Sequence, residues 1–126
     1  MKKIAVFFDG SNFFHAKKSI GCDVEVERIF NYCKEQGMVV KATYYTVMPG
    51  TENERKFCDC LERIGYSLVT KSGNATFDFD IASDMFRMAG TYDIAILVSN
   101  DGDFDYVVKT LKSSGKEVVV ISEAMV

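Results

Sequence analysis

The chain has 126 residues, a net charge of −3, 48% hydrophobic and 26% charged residues. That is the length of one soluble globular domain, able to bury roughly two-thirds of its unfolded surface. One proline and no long Ser/Gly/Pro stretch exclude a disordered chain or an internal linker. No apolar run approaches the roughly 18–20 residues of a membrane span. The opening MKKIAVFFDGSN has two lysines and a short apolar run, but the run ends after five residues at Asp9, too short for a signal-peptide core. The expected location is cytoplasmic. The acidic balance lacks the Lys/Arg excess that normally attracts phosphate, but an acidic enzyme can still bind nucleic acid where bound metal ions cancel the local charge, so net charge alone does not decide the ligand.

In chain order, residues 3–8 (KIAVFF) form a continuous apolar run, the pattern of a strand buried on both faces. A short helix is expected after Ser11. Asp23 then caps a helix in which Val26, Ile29, Phe30 and Cys33 recur at i, i+3, i+4, i+7. MVVKATYYTV (38–47) is the second predicted strand, with Tyr44 and Tyr45 as packing residues. Thr51 and Glu54 form a capping box, and the helix behind it carries Phe57, Cys60, Leu61 and Ile64. A third strand covers 66–70, a helix 79–89 and a fourth strand 92–99. A last helix carries Phe104, Val107, Val108 and Leu111 before a fifth strand at 117–122. Gly37, Gly65, Gly90 and Gly115 each stand between a helix and a strand, where a left-handed terminating residue is cheapest as glycine. Alternating strands and helices predict one α/β domain over residues 1–126, with a mostly parallel, Rossmann-like sheet and helices on both faces. The four cysteines, Cys22, Cys33, Cys58 and Cys60, are expected to be reduced and to fill packing gaps; Cys58 and Cys60 at i, i+2 point to different sides and make a poor zinc half-site.

Ligands of parallel sheets bind beyond the carboxyl ends of the strands. Strand one ends in Asp9-Gly10-Ser11-Asn12, and strand four in Ser99-Asn100-Asp101-Gly102-Asp103-Phe104-Asp105. The helix between strands three and four opens on Asp78 and Asp80 and carries Asp84. If strands one and four are neighbours, these carboxylates collect at one edge. Two unit charges about 4 Å apart repel by roughly 1 kcal/mol in water and about 4 at an effective dielectric of 20. Such a cluster calls for a cation, and oxygen-only ligands suit Mg²⁺ or Mn²⁺. Helical phase puts Asp84 on the flank of its helix, where it can reach a cleft, and Asp80 on the solvent side. Asp78 is either an N-cap or a site residue, and Asp103 taken alone is a first-turn acid. Asp105 is expected as a surface charge and His15 as a structural residue. The run Asp101-x-Asp103-x-Asp105 does not continue as a calcium loop, since Tyr106 and Lys112 replace the required glycine and glutamate. No phosphate-binding glycine loop is present.

Three segments resemble the NYN domain family, the LabA-like branch of the PIN-like nucleases. Phe7-Phe8-Asp9-Gly10-Ser11-Asn12 is similar to its apolar strand followed by D-G-x-N. Phe77-Asp78-Phe79-Asp80-Ile81-Ala82-Ser83-Asp84-Met85 is similar to V-D-V-x-L-A-x-D-M. Ile96-Leu97-Val98-Ser99-Asn100-Asp101-Gly102-Asp103-Phe104 is similar to L-V-S-G-D-S-D-F, with Asn100 in place of the glycine. Ala75-Thr76 stand where the family often has Lys-Gly. The resemblance implies strand one beside strand four and metal ligation by Asp9, Asp78, Asp84, Asp101 and Asp103. It also implies that Asn12 and Ser99 orient or contact substrate.

The function expected is hydrolysis of phosphodiester bonds, in RNA, by a Mg²⁺- or Mn²⁺-dependent nuclease in which Asp9, Asp84 and Asp101 are catalytic. Lys17, Lys18, Arg55, Lys56 and Lys71 are candidate phosphate contacts. A homodimer or partner subunit is a possible source of further substrate surface. The alternatives are a non-catalytic module binding nucleic acid or protein, and a metal-dependent phosphatase.

Overall fold

The computed structural model describes residues 1–10, 24–73, 76–100 and 102–122. The short helix expected after Ser11, the cap at Asp23 and the residues Asn12, His15, Lys17, Lys18, Cys22 and Asp101 lie outside them. The described chain runs β1 (Lys3–Asp9), α1 (Val24–Gln36), β2 (Met38–Val47), α2 (Glu52–Ile64), β3 (Ser67–Lys71), α3 (Asp78–Arg87), β4 (Ile94–Val98), α4 (Asp105–Ser113) and β5 (Glu117–Ile121). Short 3-10 turns at Ala89–Thr91 and Gly102–Phe104 precede β4 and α4.

All strands pair in parallel, in the order β3-β2-β1-β4-β5. The expected sheet is therefore present, and β1 lies beside β4, as the resemblance implied. The central strands β1 and β4 are apolar along their length because both faces are covered. Ile4, Val6 and Phe8 pack with Ile94, Ile96 and Val98 under Val26, Ile29, Phe30 and Cys33 of α1 and Leu61 of α2. Ala5 and Phe7 face the other way, with Ala95 and Leu97, under Ile81 and Met85 of α3 and Val107 and Leu111 of α4. Period-two alternation thus assigns each core residue to one layer, and α3 and α4 lie side by side in the second.

The capping box at α2 is formed: Glu54 N–H donates to Thr51 Oγ1 at 3.1 Å, and Thr51 N–H to Glu54 Oε1 at 3.2 Å. The four terminating glycines divide. Gly65 and Gly115 have positive φ, 134° and 92°, as a left-handed stop requires. Gly37 does not; a Cβ there would lie 2.3 Å from the Lys2 carbonyl oxygen, so close backbone approach is its reason. Gly90 lies within a 3-10 turn, with open space around it.

Cys33 and Cys58 are free thiols, as expected. Cys60 is disulfide-bonded, which corrects the expectation of reduced cysteines at that position. The i, i+2 spacing excludes pairing with Cys58 but carries no information on which sulfur tertiary packing brings near.

Candidate active site

Asp9 is the last residue of β1 and is 5% exposed. Alternation from Ala5 and Phe7 turns its side chain toward the layer of α3 and α4. Ser99 follows β4 in the same phase as Ala95 and Leu97, and its N–H donates to the Ile121 carbonyl at 2.9 Å. Its hydroxyl stands 3.5 Å from Asp9 Oδ2, a long hydrogen bond across the β1–β4 junction. The two polar groups buried at this strand end therefore face each other.

The residue after Asp9 must be small. A Cβ on Gly10 would fall 2.4 Å from the Tyr44 ring, which packs on Phe8 and Tyr66. Gly10 N–H also donates to the Tyr45 carbonyl at 2.8 Å, carrying the β1–β2 ladder past Asp9. Ladder and ring together fix the backbone that presents Asp9.

Tyr45 is paired with Asp9 across this ladder and is fully buried. Its hydroxyl donates to Asp84 Oδ2 at 2.7 Å, while Arg87 binds Asp84 Oδ1 at 2.8 Å. Burial first, then the Asp84 carboxylate, raises the Tyr45 phenol far above its ordinary value, so it remains a donor. Asp84 does lie on a flank of α3, as its phase predicts, with both oxygens engaged. Sequence reasoning took Tyr45 as packing alone; an aromatic hydroxyl in a buried strand, which must find an acceptor, was the available signal.

Asp78 is the first residue of α3. Phe77 occupies the N-cap position without a side-chain cap hydrogen bond, so the N-cap alternative for Asp78 is not the one realised. Asp80 corrects the solvent-facing expectation: it is half-buried and binds Lys71 Nζ at 2.6 Å. Lys71, a candidate phosphate contact, also lies over the Phe77 ring. Its partner follows from β3 passing the α3 amino end, which the one-dimensional pattern does not show. Arg55 pairs with Glu52 at 3.3 Å on an exposed face, and Lys56 is exposed. Asp103, in the 3-10 turn before α4, and Asp105, at its start, are exposed.

The structure thus places Asp9 and Ser99 in contact, and Asp78, Asp84 and Asp103 on the elements covering that face. Among the described residues, no three acidic, histidine or cysteine side chains converge into a cation site by themselves. The donor chemistry of Asp9 and Ser99 is oxygen-only and partly desolvated, which fits a hard divalent ion. No helix among the described residues is long and apolar enough to cross a membrane.

The NYN domain family model matches residues 3–126. The low amplitude and bright protein LabA of Synechococcus elongatus is 31% identical over 136 aligned positions, covering 95% of this chain and 73% of that protein. A crystal structure of a Vibrio parahaemolyticus protein of unknown function superposes with a TM-score of 0.83 at 24% identity, covering 98% of this chain and 83% of that one. The superposition establishes a shared fold, and the family match with the LabA identity shows that the chain belongs to the NYN domain family.

Proposed function

We propose that this protein is a metal-dependent nuclease that hydrolyses phosphodiester bonds in RNA at the carboxyl ends of β1 and β4. The observation that carries the reading is the buried Asp9 carboxylate facing the Ser99 hydroxyl, in a chain of a nuclease-like family. A carboxylate withdrawn from water at the open edge of a parallel sheet is a poor choice for stability alone and a good one for cation binding. Asp9 and Asp101 are assigned as principal metal ligands, with Asp78, Asp84 and Asp103 completing the acidic site and Asn12 contacting substrate. Mg²⁺ or Mn²⁺ bound there supplies Lewis-acid polarisation of the phosphoryl group and a more acidic water.

The residues of the chain have separate roles in this reading. Ser99 holds the Asp9 carboxylate in one orientation. Tyr45 and Arg87 hold the Asp84 carboxylate in one orientation, from which it can orient water by accepting a hydrogen bond. Asp78, at the amino end of α3, gains from the helix dipole, which lowers the cost of collecting carboxylates there.

The test is cleavage of labelled single-stranded RNA with Mn²⁺, with Mg²⁺ and with EDTA, by wild type, Asp9→Asn and Asp101→Asn. Metal-dependent cutting lost by at least about a hundredfold in both variants, with unchanged circular dichroism, is the expected outcome. Binding of RNA by a wild type that neither cuts it nor takes up metal would replace the nuclease with a non-catalytic binding module. Turnover of small phosphate monoesters instead of RNA would indicate a phosphatase.

A further inference from the structure

Among the described residues most large aromatic side chains are buried, and two depart strongly: Phe79 is 82% and Tyr106 75% exposed. Phe79 shares its flank of α3 with Ala82 and the 40% exposed Phe86, whereas Tyr106 belongs to no apolar stripe. On α3 the buried residues are Ile81 and Met85, and on α4 they are Val107 and Leu111. Phe79 and Tyr106 lie in the first turns of the same two helices, whose amino ends face the strand ends that carry Asp9 and Ser99.

Helical phase, at about 100° per residue, tells which way each ring projects. On α3, Asp80 and Asp84 mark the flank turned toward β2 and β3, since they bind Lys71 and Tyr45. Phe79 falls on the opposite flank, toward α4 and solvent. The two helices run in the same direction over the same face, with α4 displaced toward β5. The flank of α4 that corresponds to Asp80 and Asp84 is therefore turned toward α3, and it carries Tyr106 and Thr110. The rings rise from facing flanks of the α3–α4 seam, beside Asp78 on one first turn and Asp103 just before the other. This arrangement has a β4–β1 edge with buried oxygen donors on one side and two solvent-facing π surfaces over the seam.

We propose that Phe79 and Tyr106 are stacking platforms that hold unpaired bases of an RNA strand while its phosphodiester backbone passes the Asp9 site. The proposal rests on the nuclease reading above and names the side chains that hold the bases of the strand. Bases of a duplex are already stacked and cannot be splayed onto side chains, whereas every unpaired base offers a π face. Stacking also supplies affinity that an acidic protein cannot draw from surface charge. Lys109, exposed one turn beyond Tyr106, is placed to meet the backbone of a strand held this way.

The experiment is equilibrium binding of the full chain in Mg²⁺ to fluorescent RNA with cleavage-resistant phosphorothioate linkages, as a single strand, a duplex and an abasic strand of equal length. Phe79→Ala and Tyr106→Ala are each expected to weaken single-strand binding about tenfold, with melting temperatures unchanged because both positions are exposed. Phe79→Tyr and Tyr106→Phe keep wild-type affinity, and the abasic strand binds wild type and alanine variants alike and weakly. Equal affinity of wild type and both alanine variants for the single strand overturns the proposal, as does wild type binding the abasic strand or duplex as tightly. Failure of wild type to bind single strands also overturns it. Cleavage by wild type in Mn²⁺ is read separately. Cutting without dependence on the aromatics sinks the platforms and spares the nuclease; aromatic-dependent binding without cutting does the reverse.

Discussion

At the scale of single residues, burial sets the chemistry of the polar groups. Tyr45 combines a core ring with a hydroxyl that binds a carboxylate. Tyr45→Phe keeps the ring and removes the donor, and is expected to lower stability by about 1–2 kcal/mol in urea unfolding, since the lost bond is to a charged group. Cys33, on α1, is fully buried in the core, and burial pushes its thiol up to about 12 from an ordinary value of 9.0. Tyr92 likewise goes from 10.0 to about 12, also by burial, and donates to the Met85 carbonyl at 2.6 Å. Because the folded values are raised, the unfolded chain releases these protons first. Their contribution to stability is complete below about pH 9 and is lost as pH climbs toward 12. Urea midpoints measured from pH 8 to 11 should fall with rising pH, and Cys33→Ala should make the fall that begins near pH 9 shallower, the Cys58 thiol, also raised by burial, supplying the remainder.

At the scale of elements, glycines with the same sequence signature have different reasons. Gly65 closes α2 with a φ of 134°, and a Cβ there would lie 2.6 Å from the Phe30 ring. Gly90 has neither a positive φ nor a neighbour within 4 Å. Gly65→Ala should therefore destabilise by about 2 kcal/mol or more, and Gly90→Ala should stay within about 0.5 kcal/mol of wild type. Equal effects in chemical denaturation would remove the distinction. The same reasoning applies to Gly10, where the Tyr44 ring leaves no room beside Asp9. There the element boundary and the site are one constraint.

At the scale of the whole molecule, two cores on opposite faces clamp β1 and β4, and the strand ends they hold carry Asp9 and Ser99. A rigid edge of this kind prepays the cost of gathering oxygen donors. If the carboxylates hold a divalent ion in the folded state only, Mn²⁺ should raise the melting temperature. The gain would correspond to about 2.7 kcal/mol at a free concentration a hundred times Kd. Asp9→Asn should abolish that gain. A scanning-calorimetry series over Mn²⁺ concentration reads both effects.

The five strands, the four main helices and the α/β class were legible in the sequence because each rests on a local pattern. Continuous apolar runs mark strands covered on both faces, i, i+3, i+4 spacing marks helices, and Asp-Gly or Ser-Asn-Asp marks the ends of strands. The boundaries shifted slightly, as at β4, where Tyr92 and Asp93 lie outside the ladder. What belonged to tertiary structure was the identity of partners. The parallel β1–β4 ladder brings Ser99 to Asp9 across the intervening sequence. The β3 end delivers Lys71 to Asp80, and β2 delivers the Tyr45 hydroxyl to Asp84. Packing also left Phe79 and Tyr106 in solvent although their residue type argues for the core. Period and composition fix which face a residue occupies on its own element. Only the juxtaposition of elements decides what that face meets.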